Sequence, residues 1–284
     1  MKKFLKGLLM GVFMLLLSGC GEDALVNNDV YTTIYPIEYL TEYLYGEDWS
    51  VLSIYPSGAD VNTYELTDMQ KENYSLAGLF VYNGLTNEKE LAREFLNNNP
   101  ELLLIDVSYG LNYEYAIEEL WLSPNNYLML AKNIKNNLID YTTSTVLKEA
   151  IEDRYREIEE ELSFMGAELR SVATEAKSEG NATLVVSSNK LLFLENYGFQ
   201  VIVLGDEVNE SISELFDDGD VSDIYLCDTD QKNEFITSLE SEYDANIINV
   251  DTMYTLTDEE ASGNATYLTI MRSFIDNIRN TTLG

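Results

Sequence analysis

The side chains available for chemistry in this chain are carboxylates, hydroxyls, amides and two thiols. It contains no histidine, which removes Ser-His and Cys-His nucleophilic mechanisms and every imidazole–metal site at once. Acids are abundant: 50 Asp and Glu against 17 Lys and Arg leave a formal net charge of −33. Glu118 and Glu119 lie side by side ahead of Trp121-Leu122, and Asp228 follows the run Ile224 to Cys227. A carboxylate pair such as Glu118 or Glu119 with Asp228 is the equipment of a glycosidase, but among so many acids some pair must fall this way. Neither a Gly-x-Ser-x-Gly elbow nor a phosphate-cradling glycine loop accompanies it. An enzyme is therefore not expected. Nucleic acid is excluded as a partner, because no basic surface is available to displace phosphate counterions.

The second thiol sits in a different context. Residues 1–20 read MKKFLKGLLMGVFMLLLSGC, a basic start followed by an apolar run from Leu8 to Leu17. That run is too short to span a bilayer, which takes about 20 residues, and has the form of a signal-peptide core. Its end, Leu17-Ser18-Gly19-Cys20, resembles a bacterial lipobox. The resemblance implies cleavage after residue 19 and lipid attachment at Cys20, with more than one acyl chain for stable anchoring. The expected product is extracytoplasmic and held to the cell membrane by lipid alone. Cys227 is then left without a partner, so no disulfide supports the fold.

Elements able to position these groups follow from the apolar pattern. After a polar tether (20–29), β-rich runs alternate with helical stretches. Four lie at Val30–Tyr35, Trp49–Ile54, Leu79–Tyr82 and Leu102–Val107, and four more at Thr183–Val186, Val201–Leu204, Ile224–Cys227 and Asn246–Val250. Such alternation predicts α/β units with parallel sheets. Between the two sets, Leu147, Ile151, Tyr155, Ile158, Leu162, Met165, Leu169 and Val172 recur at steps of three and four. From Thr145 to Ala173 this predicts one helix of ~43 Å. The organisation expected is a lobe over 30–125, a linker region over 126–177 containing the long helix, and a second lobe over 178–284.

Several segments then resemble, in order and at matching spacings, the substrate-binding lipoproteins of zinc and manganese ABC importers. Val30-Tyr31-Thr32-Thr33-Ile34-Tyr35-Pro36 is similar to their opening strand and turn. Pro56-Ser57-Gly58-Ala59-Asp60-Val61-Asn62-Thr63-Tyr64-Glu65 is similar to their P-x-G-x-D-P-H-x-Y-E segment, and Leu79 to Leu85 to a strand ending in Asn-Gly-Leu. Glu119-Leu120-Trp121-Leu122-Ser123-Pro124 resembles H-x-W-L-D-P. Tyr197-Gly198-Phe199 and the Tyr267–Arg272 segment resemble the later Y-G-L and Y-x-x-x-M-x motifs. The resemblance implies two four-stranded α/β lobes bridged by a rigid helix, with ligand captured in the cleft between them. It also implies a monomer that passes its cargo to a permease and ATPase.

Carried over by position, the family's ligand residues fall here on Asn62, Glu119, Ser188 (or Ser187) and Cys227 with Asp228 adjacent. Where the family has histidines, this chain has none. Imidazole suits zinc, oxygen donors suit manganese, magnesium or calcium, and thiolate suits soft metals. Three readings stay open. A divalent ion, manganese or zinc, is held by a rebuilt set including Glu119, Asp228, Asp60, Asn62 and Cys227. Alternatively, the cleft takes a chelated metal or small polar molecule through Asn62, Ser188 and nearby tyrosines. In the third reading the cleft is retired and the protein is a surface interaction lipoprotein. Each residue also has an ordinary use: Asn62 and Asp228 in turns, Ser188 as a helix cap, and Cys227 as a buried thiol.

Overall fold

The structure is a computed structural model that describes residues 29–46, 49–205 and 209–284. The expected signal peptide and lipid-bearing Cys20 lie outside the described residues. Among those described, no helix is long and apolar enough to cross a membrane.

Short apolar runs form two separate parallel sheets. The first contains β1 (Asp29–Thr32), β2 (Ser50–Ser53), β3 (Leu79–Tyr82) and β4 (Leu103–Asp106) in the order β2-β1-β3-β4. The second contains β5 (Thr183–Val186), β6 (Gln200–Val203), β7 (Asp223–Cys227) and β8 (Asn246–Val250) in the equivalent order β6-β5-β7-β8. Val30 pairs with both Val51 and Leu79 in the first sheet; in the second, Val185 pairs with Ile202 and Ile224. All eight expected strands are present, although the first is shorter than its apolar run. Pro36 cannot donate to a ladder and is suited to the first turn of a helix, so Tyr35 already opens α1 (Tyr35–Tyr45).

Helices complete each unit: α2 (Asp68–Ser75) and α3 (Glu88–Asn98) in the first, α7 (Glu210–Asp217) and α8 (Glu234–Tyr243) in the second. The connection from β5 to β6 is a 3-10 helix, Asn189–Tyr197. Between the sheets run α4 (Glu119–Leu122), α5 (Pro124–Tyr141) and α6 (Thr145–Glu179); α9 (Asp258–Ser262) and α10 (Tyr267–Leu283) close the chain.

The long helix α6 is the expected bridge, extended to Glu179. Ser144 caps its start by accepting from the Leu147 amide at 3.3 Å. Gly180 ends it at φ 87°, a left-handed conformation that suits glycine. Its stripe from Ile151 through Ala176 is buried against α5, α10 and α1. Arg272 and Arg279 of α10 pair with Glu161 and Glu168 of α6. One apolar core runs from Val30 and Ile34 through Trp121, Tyr127 and α6 to Leu191, Met253 and Tyr267, so the two lobes share a packed interior.

A candidate ligand cleft between the lobes

In an open parallel sheet, ligands sit beyond the carboxyl ends of the strands where the strand order reverses. That point lies between β1 and β3 in the first lobe and between β5 and β7 in the second. The two are furnished differently.

In the first lobe, Asn83 follows β3 and its amide donates to Glu88 Oε2 at 2.7 Å. Its own Oδ1 accepts from the Leu85 amide at 3.0 Å. Gly84 comes next: a Cβ there would lie 2.0 Å from Asp106 Oδ2, so a larger residue would displace the carboxylate whose Oδ1 accepts from the Gly84 amide at 2.9 Å. Burial lifts the Glu88 carboxyl to a pKa of about 7, against hydrogen bonds that lower it. Beside it opens a cavity of about 460 Å³ whose walls include Tyr55, Tyr64, Asn62, Asn83, Trp121 and Tyr254. This is the size of site that takes a small organic molecule. A second cavity of about 410 Å³ adjoins it, with Asp60 and Asn62 from one lobe and Asp228, Tyr254 and Thr257 from the other.

In the second lobe the corresponding point holds an ion pair. Ser187, next after β5, donates from Oγ to Asp230 Oδ2 at 2.6 Å and accepts from the Cys227 amide at 3.1 Å. Lys190 pairs with Asp230 Oδ1, their side chains only 18% and 14% exposed. Partial burial would raise the Asp230 pKa, but hydrogen bonds from Lys190 and Ser187 hold it below the usual range. Burial likewise works against the Lys190 charge; the bond to Asp230 and the negative charges of Asp230 and Glu118 outweigh it and raise its pKa.

The residues singled out in the sequence do not all meet. Asn62 is exposed, its amide donating to Asp60 Oδ1 at 3.0 Å; it lines the second cavity together with Asp228. Asp228 Oδ1 accepts from the Thr252 amide at 3.0 Å and its hydroxyl at 2.6 Å. Glu119, at the start of α4, is 5% exposed. Its two oxygens accept from the Glu114 amide at 2.7 Å and the Tyr115 amide at 3.1 Å, so it fastens the preceding loop. Ser188 stands at the N-cap of the 3-10 helix but makes no side-chain capping bond; its Oγ is buried. Cys227 is fully buried, and burial pushes its thiol up to about 12, leaving it protonated and inert at neutral pH. Among the described residues no group of three or more His, Cys, Asp or Glu is placed to hold a metal ion. The donors present do not fit zinc, which takes imidazole or thiolate in a tight tetrahedron.

Several residues important to the junction were not anticipated. Glu118, rather than Glu119, reaches across the lobes, accepting from Tyr254 Oη at 2.9 Å. Trp121 Nε1 donates to the Thr252 carbonyl at 2.8 Å, and Tyr267 Oη to the Trp121 carbonyl at 2.6 Å. The Tyr35 amide donates to the Tyr254 carbonyl at 3.0 Å. Asp251, just after β8, is lifted to about 7 by burial, with further like charge from Glu260 and Asp228. Its position at a strand's carboxyl end was the available signal. For Lys190 the signal was sharper: it is the only basic residue between Lys177 and Lys232.

Two parallel-sheet lobes with matching strand order, a bridging helix and an inter-lobe cleft define the architecture of a two-lobed substrate-binding protein. The chain belongs to the family described as ZnuA, zinc-uptake complex component A, periplasmic, whose model matches residues 30–281. Its members are substrate-binding proteins of zinc and manganese ABC importers that work with permease and ATPase subunits, and they are transport proteins rather than enzymes. The fold is similar to that of the metal-dependent lipoprotein YcdH from Bacillus subtilis, at 21% identity over 90% of this chain and 99% of that one, with a TM-score of 0.74. It is also similar to the Zn(II)-bound ZnuA-like domain of Streptococcus pneumoniae AdcA, at 18% identity over 89% and 98% of the two chains, TM-score 0.71. A third similar structure is that of a Mn-bound variant of a periplasmic metal binding protein from Candidatus Liberibacter asiaticus, at 18% identity over 90% and 99%, TM-score 0.69.

Proposed function

We propose that this chain is a lipid-anchored extracytoplasmic receptor, tethered through Cys20, that captures a metal-related solute between its lobes and delivers it to an ABC permease. The solute is a metal in an organic chelate rather than a bare ion. One observation carries this reading. The junction carboxylates of Glu118, Glu119, Asp228 and Asp230 already accept from protein donors, while an aromatic-walled cavity of about 460 Å³ lies open behind Tyr254, the donor to Glu118. Amide and hydroxyl groups such as Asn62 and the cleft tyrosines both donate and accept, as recognition of a polar organic shell requires. Protein as a monomer, with domain limits near 30–125, 126–177 and 178–284, is the form in which the cleft would work.

Titration calorimetry of chelator-treated protein tests this with Zn²⁺ or Mn²⁺ alone, with amino-acid or citrate complexes of each, and with the free chelators. Binding of a complex but not of the bare ion is expected, weakened by Tyr64→Ala. Binding of the bare ion with full stoichiometry, lost on Asp228→Asn, would replace this reading with a rebuilt metal site.

A further inference from the structure

Lys190 emerges from the 3-10 helix directly into the reversal point of the second sheet. Its ammonium pairs with Asp230, and it is drawn by Glu118 from the other lobe. Ser187, which precedes it by three residues, holds the other Asp230 oxygen and the Cys227 amide. A single positive charge thus sits among Ser187, Cys227, Asp230 and Glu118, where both lobes meet. The sequence resemblance places ligand-holding residues at Cys227 and at Ser187 or Ser188; Glu118 adjoins a third such position, and Asp230 lies two residues past Asp228.

We propose that Lys190 is a specificity-determining residue: its tethered ammonium is the resident cation of the lobe junction and keeps free divalent ions out. Two physical reasons support this. An incoming dication would meet a fixed like charge in a partly desolvated setting, where Coulomb repulsion is several times stronger than in water. It would also compete for Asp230 with a cation covalently attached to the same chain, whose effective concentration is far above that of any free ion. The inference rests on the reading above and deepens it by explaining why a bare ion is not the cargo.

The test uses the full-length chain in detergent, stripped with chelator and melted in Zn²⁺ or Mn²⁺. Wild type is expected to melt at the same temperature with and without either ion. K190M removes the charge at similar volume and is expected to gain a shift of roughly 8–16 °C at about a thousand times the dissociation constant, lost again in K190M/D230N. K190R, which keeps the charge, should refuse the ions as wild type does. K190Q is the second neutral variant. The proposal is overturned if wild type or K190R takes either ion, or if K190M and K190Q melt cooperatively and take none. It is also overturned if neither neutral variant folds, since Lys190 is then a structural requirement. Failure of chelates to bind wild type, alongside ion uptake by K190M, would instead refute only the cargo proposed above.

Discussion

The two lobes share a strand order and differ in what stands at its reversal. In the first, between β1 and β3, the chain leaves a cavity walled by Tyr55, Tyr64 and Tyr254 over a buried carboxyl, Glu88. In the second, between β5 and β7, Ser187, Lys190 and Asp230 close on one another. Topology therefore locates a site in each lobe, because parallel strands end together and their loops diverge there. Side chains decide how each site is furnished: aromatic rings wall a gap that water or ligand can enter in the first, whereas an ammonium and a carboxylate pair across the second.

Trp121→Ala should have the largest effect, since that side chain ties the wall of the open cavity to the second lobe. It is 1% exposed and bonded to Thr252 across the lobes; a loss of about 3–5 kcal/mol is expected for truncating such a residue. Urea unfolding would measure it, and a loss under about 1 kcal/mol, the size of an ordinary substitution, would mean the lobes are not joined through this residue.

A pH series separates the two reversal points. The Glu88 pKa is raised from 4.5 to about 7 on folding, so the folded state holds its proton more tightly. Stability attached to Glu88 is full below its unfolded pKa and lost as pH rises through about 7, with a slope of at most about 1.4 kcal/mol per pH unit. Glu88→Gln should flatten the fall in melting temperature between pH 5 and 7. Glu38 and Asp251, both lifted to about 7 by burial, keep part of the slope in the variant. An unchanged slope would show that Glu88 is ionised in the folded protein.

The smallest effect should come from Asp230→Ala, which strands the Lys190 ammonium in a part-buried place. A cost of about 2 kcal/mol is expected for removing the acceptor of a charged hydrogen bond, largely recovered in the Lys190→Met/Asp230→Ala double variant. Equal stability of single and double variants would mean that the pair does not hold the second reversal point shut.

Much of the fold was legible along the chain. The eight apolar runs became the eight strands, and the stripe from Ile151 to Val172 became the buried face of α6, because both depend on local periodicity. The candidate site was legible only as positions. Glu119 looked like a ligand because of where it stands before Trp121, yet its oxygens turn to the Glu114 and Tyr115 amides. Nothing within the Glu118-Glu119 pair says which acid faces the loop and which faces Tyr254. Lys190 was the lone cation in a long acidic stretch, but its partner lies 40 residues away.

The sequence by itself determined the order of the elements, the bridge, the absence of imidazole chemistry and the family, all of which depend on residue type and spacing. Only the tertiary structure decided the state of the cleft. Desolvation and pairing of a carboxylate depend on which donors arrive from distant segments: Thr252 at Asp228, Tyr254 at Glu118 and Lys190 at Asp230. The first and last of these meetings form within the second lobe, and the one between Tyr254 and Glu118 exists only once the two lobes have packed together.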